Sequence, residues 1–191
     1  MSPEKRILDI EWLNLENGIR SAKHDYHSFI LSTVRNNKPQ LRTVILRDFN
    51  KIDLYLSFHT DLRSKKITDL KKNNTVGVLF YDRKRRVQLR ISGVSKIVTD
   101  NHLIKSTWDK MSSDSKKCYL HQYPPSKVLN NGEINKVKDE QDTNLDNLGL
   151  ERFCKIKIII KKLDWLNLKH DGHKRIQYVF DKNIKINWIA S

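Results

Sequence analysis

Basic side chains crowd the place where a short helix is predicted to begin. The sequence predicts a helix start near Thr60 or Asp61, and its first turn carries Arg63, Lys65 and Lys66. The N-terminus of a helix has a partial positive charge, so cations there are repelled unless an anion lies among them. Backbone N–H groups at such a terminus bind phosphate readily. The pattern therefore predicts a phosphate site.

Two more cations lie on the strand that precedes this helix. Arg42 and Arg47 stand at either end of an apolar run. A guanidinium offers phosphate a planar fork of donors, and a lysine adds a compact charge. Any one of these side chains is better explained as a solvated strand end. Taken together with Lys65, Lys66 and the Thr60 hydroxyl, they favour a phosphate site.

Gln88 is a candidate for binding the edge of a heterocyclic ring. It lies on the polar face of a predicted strand that begins at Val87. Its amide both donates and accepts hydrogen bonds, so it can pair with the edge of a ring. Considered alone, Gln88 is better explained by ordinary exposure to solvent.

Length and composition bound the class of protein. The 191 residues fit one domain, with 38% hydrophobic and 31% charged residues. No apolar run reaches the ~20 residues of a membrane helix, and the N-terminus lacks the apolar core of a signal peptide. Cys118 and Cys154 are too few and too scattered for a disulfide framework or a zinc site, and the histidines show no metal-ligand spacing. These features predict a cytoplasmic protein with reduced thiols and no metal.

The net charge of +15 indicates attraction to anions such as nucleotides, phosphorylated metabolites or nucleic acid. A solvated, lysine-rich surface explains most of that charge equally well. A basic nucleic-acid-binding module remains as an alternative, but aromatic residues are not interleaved with the basic ones as a stacking platform requires. Nucleic acid is therefore the less favoured partner.

Alternating apolar residues predict a sheet-rich protein. Hairpins, few helices and a bulge at Gly93 predict an α+β fold, an antiparallel β-barrel of six to eight strands with peripheral helices. The predicted strands are 28–34, 41–49, 52–58, 76–81, 87–98, 156–160, 176–180 and 184–188.

Helical periodicity and capping residues predict the peripheral elements. The predicted helices are 10–23 and 62–72, one capped by Asp100, and a short one after Ser112 or Ser113. The Asn-rich segment 127–151 is poor in apolar residues, and we expect a flexible loop or insertion there.

The order of these motifs resembles a known family. The runs Arg-x-Val-x-Leu-Arg at 42–47, Phe-x-Thr-x-x-x-Ser-Lys-Lys at 58–66 and Gln-x-Arg-Ile-x-Gly at 88–93 resemble the FMN-binding split barrel of pyridoxamine 5′-phosphate oxidases. The stretches 165–168 and 172–178 and the closing Trp188 fit the same family. The resemblance implies one FMN-binding domain over residues 1–191.

The resemblance also implies a set of cofactor-binding residues in a homodimer whose sites lie at the subunit interface. The strand 42–47 would line the phosphate, ribityl chain and ring edge of FMN, and Gln88 would bind the isoalloxazine. Trp165 and Arg175 would come from the other subunit. The full set is Arg42, Thr43, Val44, Ile45, Leu46, Arg47, His59, Thr60, Lys65, Lys66, Gln88, Trp165 and Arg175.

Several positions depart from the family pattern. His59 replaces a usual Tyr, and Lys65 replaces a frequent Arg. Met111 stands where an Arg for the substrate phosphate is expected. The Arg of an Arg-Leu-His element is replaced by Asp171, which leaves His173 as a possible substrate contact. Together with the segment 106–115, these departures resemble a related subgroup rather than the true oxidases.

The resulting hypothesis is an FMN-dependent oxidoreductase that transfers hydride through the bound flavin. Its small-molecule substrate is expected not to be pyridoxamine phosphate. Arg47 would tune the flavin, and no protein acid or base is assigned as a catalytic residue. The main alternative is a non-enzymatic flavin or haem carrier on the same barrel.

Overall fold

A nine-stranded antiparallel sheet is the framework of the protein in the computed structural model, which describes residues 1–130, 132–137 and 144–190. The strands are β1 (Ser28–Arg35), β2 (Lys38–Ile45), β3 (Asp48–Asn50), β4 (Tyr55–Asp61), β5 (Thr75–Asp82), β6 (Val87–Ile97), β7 (Phe153–Asn167), β8 (Lys174–Phe180) and β9 (Ile184–Trp188). Their order is β2-β1-β5-β6-β7-β4-β3, with β8 on β7 and β9 on β8. Strands β2 and β3 are therefore the two edges of the main path.

Five helices pack around the sheet within the described residues. They are α1 (Pro3–Arg20), α2 (Lys65–Lys72), α3 (Asn101–Asp109), α4 (Ser113–Lys117) and α5 (Leu145–Arg152). The α+β class with an antiparallel sheet and peripheral helices is confirmed. The helix capped by Asp100 is confirmed too, since that side chain accepts a hydrogen bond from the Leu103 N–H.

The strand count is one higher than the upper limit of the prediction because the predicted strand 41–49 is two strands. Strand β2 ends at Ile45, and the Arg47 N–H then donates to the Ser57 carbonyl at 2.9 Å. The chain has left β1 at that point, and β3 pairs with β4. A change of partner strand leaves no mark on the alternation of apolar residues, so periodicity alone missed it.

Strand β7 holds the sheet together by pairing with three strands. Residues 153–159 pair with β4, residues 162–167 pair with β8, and β6 pairs along both parts. The register between β6 and β7 shifts between Ser92 and Gly93, which confirms the predicted bulge. The bulge marks the point where the sheet divides.

Helix α1 closes one end of the barrel. Leu8, Trp12 and Leu15 lie on one helical face and are buried. Glu11, also buried, accepts hydrogen bonds from the Tyr26 hydroxyl at 2.8 Å and from the Arg85 guanidinium. A buried carboxylate is tolerated because it is paired. The predicted helix 10–23 thus begins seven residues earlier and ends at Arg20.

The helix start predicted near Thr60 or Asp61 is wrong. Thr60 and Asp61 belong to β4, and α2 begins at Lys65 with Ser64 as its N-cap. Asp61 instead forms a salt bridge with Arg63 at 2.7 Å, so the Arg63 charge is balanced before the helix starts. Lys65 and Lys66 keep their predicted place in the first turn.

Part of the loop predicted over 127–151 is helical, because residues 145–152 form α5. The Trp108 indole donates to the Asp146 carboxylate at 2.9 Å, and Leu150 packs on the cluster of Trp108, Tyr119 and Phe153. These contacts with residues distant in sequence cannot be predicted from the composition of the segment 127–151. Residues 131 and 138–143 of the predicted loop lie outside the described residues.

Both cysteines are free thiols, Cys118 exposed and Cys154 buried. Within residues 1–130, 132–137 and 144–190, none of the helices combines the length and apolar character that a bilayer crossing requires.

The bulge predicts a strong difference between two glycine substitutions. A Cβ at Gly93 would lie 2.4 Å from the Ile159 carbonyl oxygen, whereas a Cβ at Gly77 meets nothing closer than the Ser32 Cβ at 3.6 Å. We expect Gly93→Ala to lower the free energy of unfolding by about 2 kcal/mol or more. Gly77→Ala should leave it unchanged or raise it by up to ~1 kcal/mol. Urea unfolding measures both, and equal effects would contradict the assigned contact at the bulge.

Candidate functional site

Two cavities of about 490 Å³ each meet beside His59. The edge cavity runs along β2 and reaches α2 and α4. The α3 cavity lies between the sheet and helix α3. Arg47, His59, Met111 and Ser115 line both. The edge cavity brings together seven of the predicted site residues: Thr43, Val44, Ile45, Arg47, His59, Thr60 and Lys66.

The free edge of β2 forms one wall of the edge cavity. Thr43, Val44 and Ile45 line it in succession, although neighbouring side chains of a strand point to opposite faces. The cavity therefore follows the edge of the strand rather than one face. An edge strand presents unpaired backbone N–H and C=O groups. Such groups can bind the polar rim of a planar ligand.

Lys66 carries a largely buried charge that makes no salt bridge within the described residues, and Asp61, the carboxylate that favours its charged form, is itself paired with Arg63. The Lys66 amine donates to the Thr60 hydroxyl and the Ser64 hydroxyl, each at 2.7 Å. Among the described residues, no carboxylate lies within salt-bridge distance of that amine. Burial, and then the neighbouring Arg42 charge, lower the pKa of Lys66 below its usual value. An anion in the edge cavity would remove this electrostatic cost.

The start of α2 is likewise open to an anion. The Ser64 side chain makes no capping hydrogen bond to the helix, and the first turn contains no acidic residue. The N–H groups of a first turn lack intrahelical partners and favour negative charge. The repulsion between first-turn cations and the positive end of the helix, predicted from the sequence, is therefore present in the structure. It occurs at a helix that begins at Lys65 rather than at Thr60.

Arg42 lies behind Lys66, while Lys65 points to another surface. The Arg42 guanidinium donates to the Thr33 hydroxyl at 2.8 Å, and burial lowers the pKa of Arg42. Lys65 lines a separate cavity with Asp69. The two lysines are adjacent in a helix, so they project about 100° apart. Lys65 is therefore not part of the edge cavity, contrary to its predicted role.

His59 occupies the junction of the two cavities as a neutral ring. Burial, followed by the charges of Arg47 and Lys155, lowers the pKa of His59 to about 3. Its ring packs edge-on against Phe153, with centroids 4.8 Å apart. The buried Nδ1 has no hydrogen-bond partner among the described residues.

Leu46 and Trp165 belong to the core rather than to a cavity. Leu46 is fully buried, and Trp165 is 8% exposed. The Trp165 indole donates to Glu11 at 3.0 Å. Trp165 precedes Leu166 on β7, so it points to the face of the sheet opposite to Leu166 and its pairing partners. The predicted contact of Trp165 with a ring of the partner subunit does not agree with this placement.

Gln88 and Arg175 lie on the opposite, open side of the sheet. Both pair with Leu166 across β7, so all three share one face. Arg175 is held there by Asp164 at 2.7 Å. His59 pairs with Lys155, eleven positions before Leu166, which is roughly 35 Å along the strand. Gln88 and Arg175 therefore do not reach the edge cavity of their own chain.

The sequence model of the pyridoxamine 5′-phosphate oxidase FMN-binding domain matches residues 9–99. A pyridoxine/pyridoxamine 5′-phosphate oxidase of Pelagibacter ubique is 27% identical over 187 residues, 94% of this chain and 86% of the relative. The pyridoxine/pyridoxamine 5′-phosphate oxidase 2 of Arabidopsis thaliana is 28% identical over 171 residues, 83% of each chain. The chain is therefore similar to pyridoxamine 5′-phosphate oxidases, and the family model covers just under half of its length.

Solved structures agree on the fold and confirm the split barrel. A pyridoxamine 5′-phosphate oxidase-related, FMN-binding protein from Nostoc punctiforme superposes with a TM-score of 0.73 at 19% identity, covering 100% of this chain and 99% of that one. PhzG from Burkholderia lata, in complex with tetrahydrophenazine-1-carboxylic acid, gives 0.72 at 17% identity, covering 100% and 98%. The domain whose sequence model matches residues 9–99 is described as FMN-binding.

The family match includes more of the residues at the edge cavity than of the other predicted site residues. Residues 9–99 include Arg42, Lys66 and Gln88, but they exclude Met111 and Arg175. Met111 lines both cavities, where its thioether offers no hydrogen-bond donor. The match therefore includes most of the residues predicted for the flavin, but it excludes Trp165, Arg175 and the position predicted for the substrate phosphate.

His173 lies in the exposed turn between β7 and β8. Its Nδ1 accepts a hydrogen bond from the Lys169 N–H at 3.2 Å. His173 lines neither the edge cavity nor the α3 cavity. Its role as a substrate contact stays a prediction, which requires a second copy of the chain to bring the turn to a cavity.

Lys155 is a site residue that sequence reasoning missed. It alternates with isoleucines on β7, a pattern typical of an exposed position, yet it is 6% exposed and lines the α3 cavity. Helix α3 covers this part of the sheet, and the sequence of the strand itself does not indicate that it is covered.

The unusual pKa of His59 predicts a pH dependence of stability. Its folded-state pKa of about 3 lies below the ordinary 6.5, so between these values the unfolded chain binds a proton that the folded chain does not. Stability from this group is present above pH 6.5 and is lost as pH falls toward 3. Between pH 7 and 5.5, we expect the wild type to lose about 1 kcal/mol more than His59→Gln in urea unfolding.

The exposed His102 provides the control for this titration. His102→Gln should follow the wild type across the same pH range. Parallel curves for the wild type and His59→Gln would contradict a neutral, buried His59.

Proposed function

We propose that this protein is an FMN-dependent oxidoreductase of the cytoplasm whose substrate is a small molecule other than pyridoxamine phosphate. The observation that carries the proposal is the partly buried amine of Lys66, which lies near Arg42 and makes no salt bridge within the described residues. The domain model that matches residues 9–99 is described as FMN-binding, and of the flavins FMN carries the terminal phosphate that this charge requires. The free thiols of Cys118 and Cys154 agree with a reducing compartment.

The types of residue at the edge cavity suit the chemical groups of FMN. Lys66, Arg42 and the first-turn N–H groups of α2 would hold the phosphate, because they supply positive charge and neither side chain forms a salt bridge within the described residues. The free edge of β2 would offer its backbone donors and acceptors to the polar rim of the ring. The bound flavin supplies hydride acceptance, while the protein supplies binding, orientation and electrostatics.

Two side chains would set the electrostatic environment of the ring. Arg47 lines both cavities and places a permanent cation there, which favours an anionic reduced ring. His59 remains neutral near pH 7, so it adds no second charge beside the ring. Neither side chain needs to exchange a proton with the substrate.

A homodimer completes this proposal. We define the open face by Ile30, Leu41, Tyr81, Gln88 and Arg175, which the register places on one side of the sheet. Its three apolar members are 39% to 66% exposed. A contiguous apolar patch of this kind is typical of interaction surfaces. A second chain on the open face would bring Gln88 and Arg175 to the edge cavity of its partner.

The substrate side of the site argues against a phosphorylated vitamer. Met111 replaces the Arg expected for the substrate phosphate, and a thioether cannot bind a dianion. PhzG shares the fold at low identity and holds a carboxylic acid without a phosphate. That precedent supports a non-phosphorylated substrate in this fold.

The proposed phosphate site predicts different effects for adjacent lysines. Removing Lys66 deletes the buried cation, whereas Lys65 points to another cavity. We expect Lys66→Ala, alone or with Arg42→Ala, to weaken FMN binding at least about tenfold, measured by quenching of flavin fluorescence on titration of the apoprotein. Lys65→Ala should bind FMN as the wild type does. Full flavin content in the Lys66→Ala, Arg42→Ala double variant would defeat the assignment.

A test with reductant separates an enzyme from a carrier. The flavin of the purified holoprotein should be bleached by NADH or NADPH or by a reduced substrate and reoxidised by an acceptor. A haem spectrum, or a flavin that no reductant bleaches, would favour the carrier.

A charge placed on the open face should disrupt the proposed dimer, whereas the same charge on a similarly exposed residue elsewhere should not. Ile30 on the open face is 39% exposed, and Ile10 on α1 is 43% exposed. We expect Ile30→Glu to convert a dimer to a monomer in analytical ultracentrifugation and to lower the FMN affinity, because a buried unpaired charge is costly at an interface. Ile10→Glu should remain dimeric. A monomeric wild type that binds FMN fully would contradict the proposed dimer.

A further inference from the structure

Tyr119 is a buried side chain whose hydroxyl has no role in the proposed flavin contacts. It lies just after α4, lines the edge cavity and is 6% exposed. The hydroxyl of a buried tyrosine usually has a hydrogen-bond partner. Within the described residues, however, the Tyr119 hydroxyl makes no hydrogen bond, and only the backbone carbonyl accepts one, from Arg152.

The Tyr119 hydroxyl is unpaired but not enclosed. In the part of the chain that the structure describes, the polar side-chain atoms that are both enclosed and unpaired are Ser57 Oγ, His59 Nδ1 and Arg90 Nε. The hydroxyl oxygen of Tyr119 is not one of them, so it keeps some accessible surface. Because Tyr119 lines the edge cavity, a ligand in that cavity can reach the hydroxyl.

The Tyr119 ring lies at the end of β4 where the Lys66 amine is bound. It packs edge-on against Phe153, with the ring centroids 5.4 Å apart. Phe153 pairs with Asp61, the last residue of β4. The preceding residue is Thr60, whose hydroxyl accepts a hydrogen bond from Lys66 at 2.7 Å. The phenol is therefore at the same end of the edge cavity as the proposed phosphate site.

The phenol is a neutral donor that lacks an acceptor within the described protein. Burial raises the pKa of Tyr119 above its usual value, so the hydroxyl keeps its proton near pH 7. Asp61 is close enough to influence the pKa of both Tyr119 and Lys66, but its carboxylate is paired with Arg63 at 2.7 Å. A ligand in the edge cavity can supply the missing acceptor.

We propose that the Tyr119 hydroxyl donates a hydrogen bond to the phosphate of FMN and is a further binding residue of the edge cavity. This inference rests on the proposed function, which assigns the phosphate to the end of the cavity that Lys66 lines. Lys66 has one of its three donors left for a ligand, because Thr60 and Ser64 accept from the other two. A phosphate can accept more hydrogen bonds than that, so a second side-chain donor suits the site.

Two buried tyrosines allow a matched comparison. Tyr119→Phe removes the hydroxyl and keeps the ring that packs against Trp108 and Phe153. Tyr26→Phe is the control, because Tyr26 is also buried, lies outside the edge cavity and donates to Glu11 at 2.8 Å. Each apoprotein is titrated with FMN and with riboflavin at low and high salt, followed by quenching of flavin fluorescence. Urea unfolding of each apoprotein measures its stability.

We expect Tyr119→Phe to weaken FMN binding about tenfold and to leave the riboflavin affinity unchanged, because the lost hydrogen bond is to a charged group that riboflavin lacks. The loss should be the same at low and high salt, since the phenol carries no charge to be screened. The urea midpoint of this apoprotein should equal that of the wild type. Tyr26→Phe should lower the urea midpoint and leave both affinities unchanged.

Three results would overturn the inference while leaving the flavin assignment intact. They are wild-type FMN affinity in Tyr119→Phe, an equal loss of affinity for FMN and riboflavin, and a lowered urea midpoint of the Tyr119→Phe apoprotein. The second result would place the hydroxyl on another part of the flavin, and the third would give it a partner within the protein. A wild type that binds FMN no more tightly than riboflavin would instead contradict the phosphate site of the proposed function, so the two failures are distinguishable.

Discussion

The pairing of β7 with three other strands is the constraint on which the site depends. Its first half lies against β4, its second half against β8, and the bulge at Gly93 divides the two parts. The first half carries Lys155 into the α3 cavity beside His59. The second half sets Leu166 between Gln88 and Arg175 on the open face. The residues near His59 and those near Leu166 therefore lie at opposite ends of one strand, too far apart to contact the same ligand within one chain. The proposed dimer is the arrangement in which both groups could contact one ligand.

Buried positive charge is the second organising feature. Elsewhere in the described structure the buried charges are paired: Glu11 with Arg85, Asp61 with Arg63, and Asp164 with Arg175. Lys66 differs, because hydroxyl groups alone accept its hydrogen bonds. A partly buried ammonium without a salt bridge is an unfavourable arrangement that a bound anion would relieve. The phosphate of FMN is the anion in the proposed function.

The sequence predicted the fold class, the bulge and the cations of the edge cavity because each depends on local pattern. Alternation identified the strands, and Lys66 was found through a conflict with the helix dipole. The errors share a different cause. Trp165 and Leu46 are core residues, Lys65 points away, and Lys155 is buried under α3, each decided by tertiary contacts. Residue type can indicate the chemistry of a site, but the direction of a side chain depends on partners that are distant in sequence.

The central claim is that the edge cavity recognises the phosphate of FMN rather than the flavin ring alone. Titration of the apoprotein with FMN and with riboflavin, followed by fluorescence quenching, tests it most directly, since the two ligands differ only in that phosphate. FMN should bind about a hundredfold more tightly than riboflavin, with a preference that weakens as salt is added. Equal affinities for the two ligands would contradict the account.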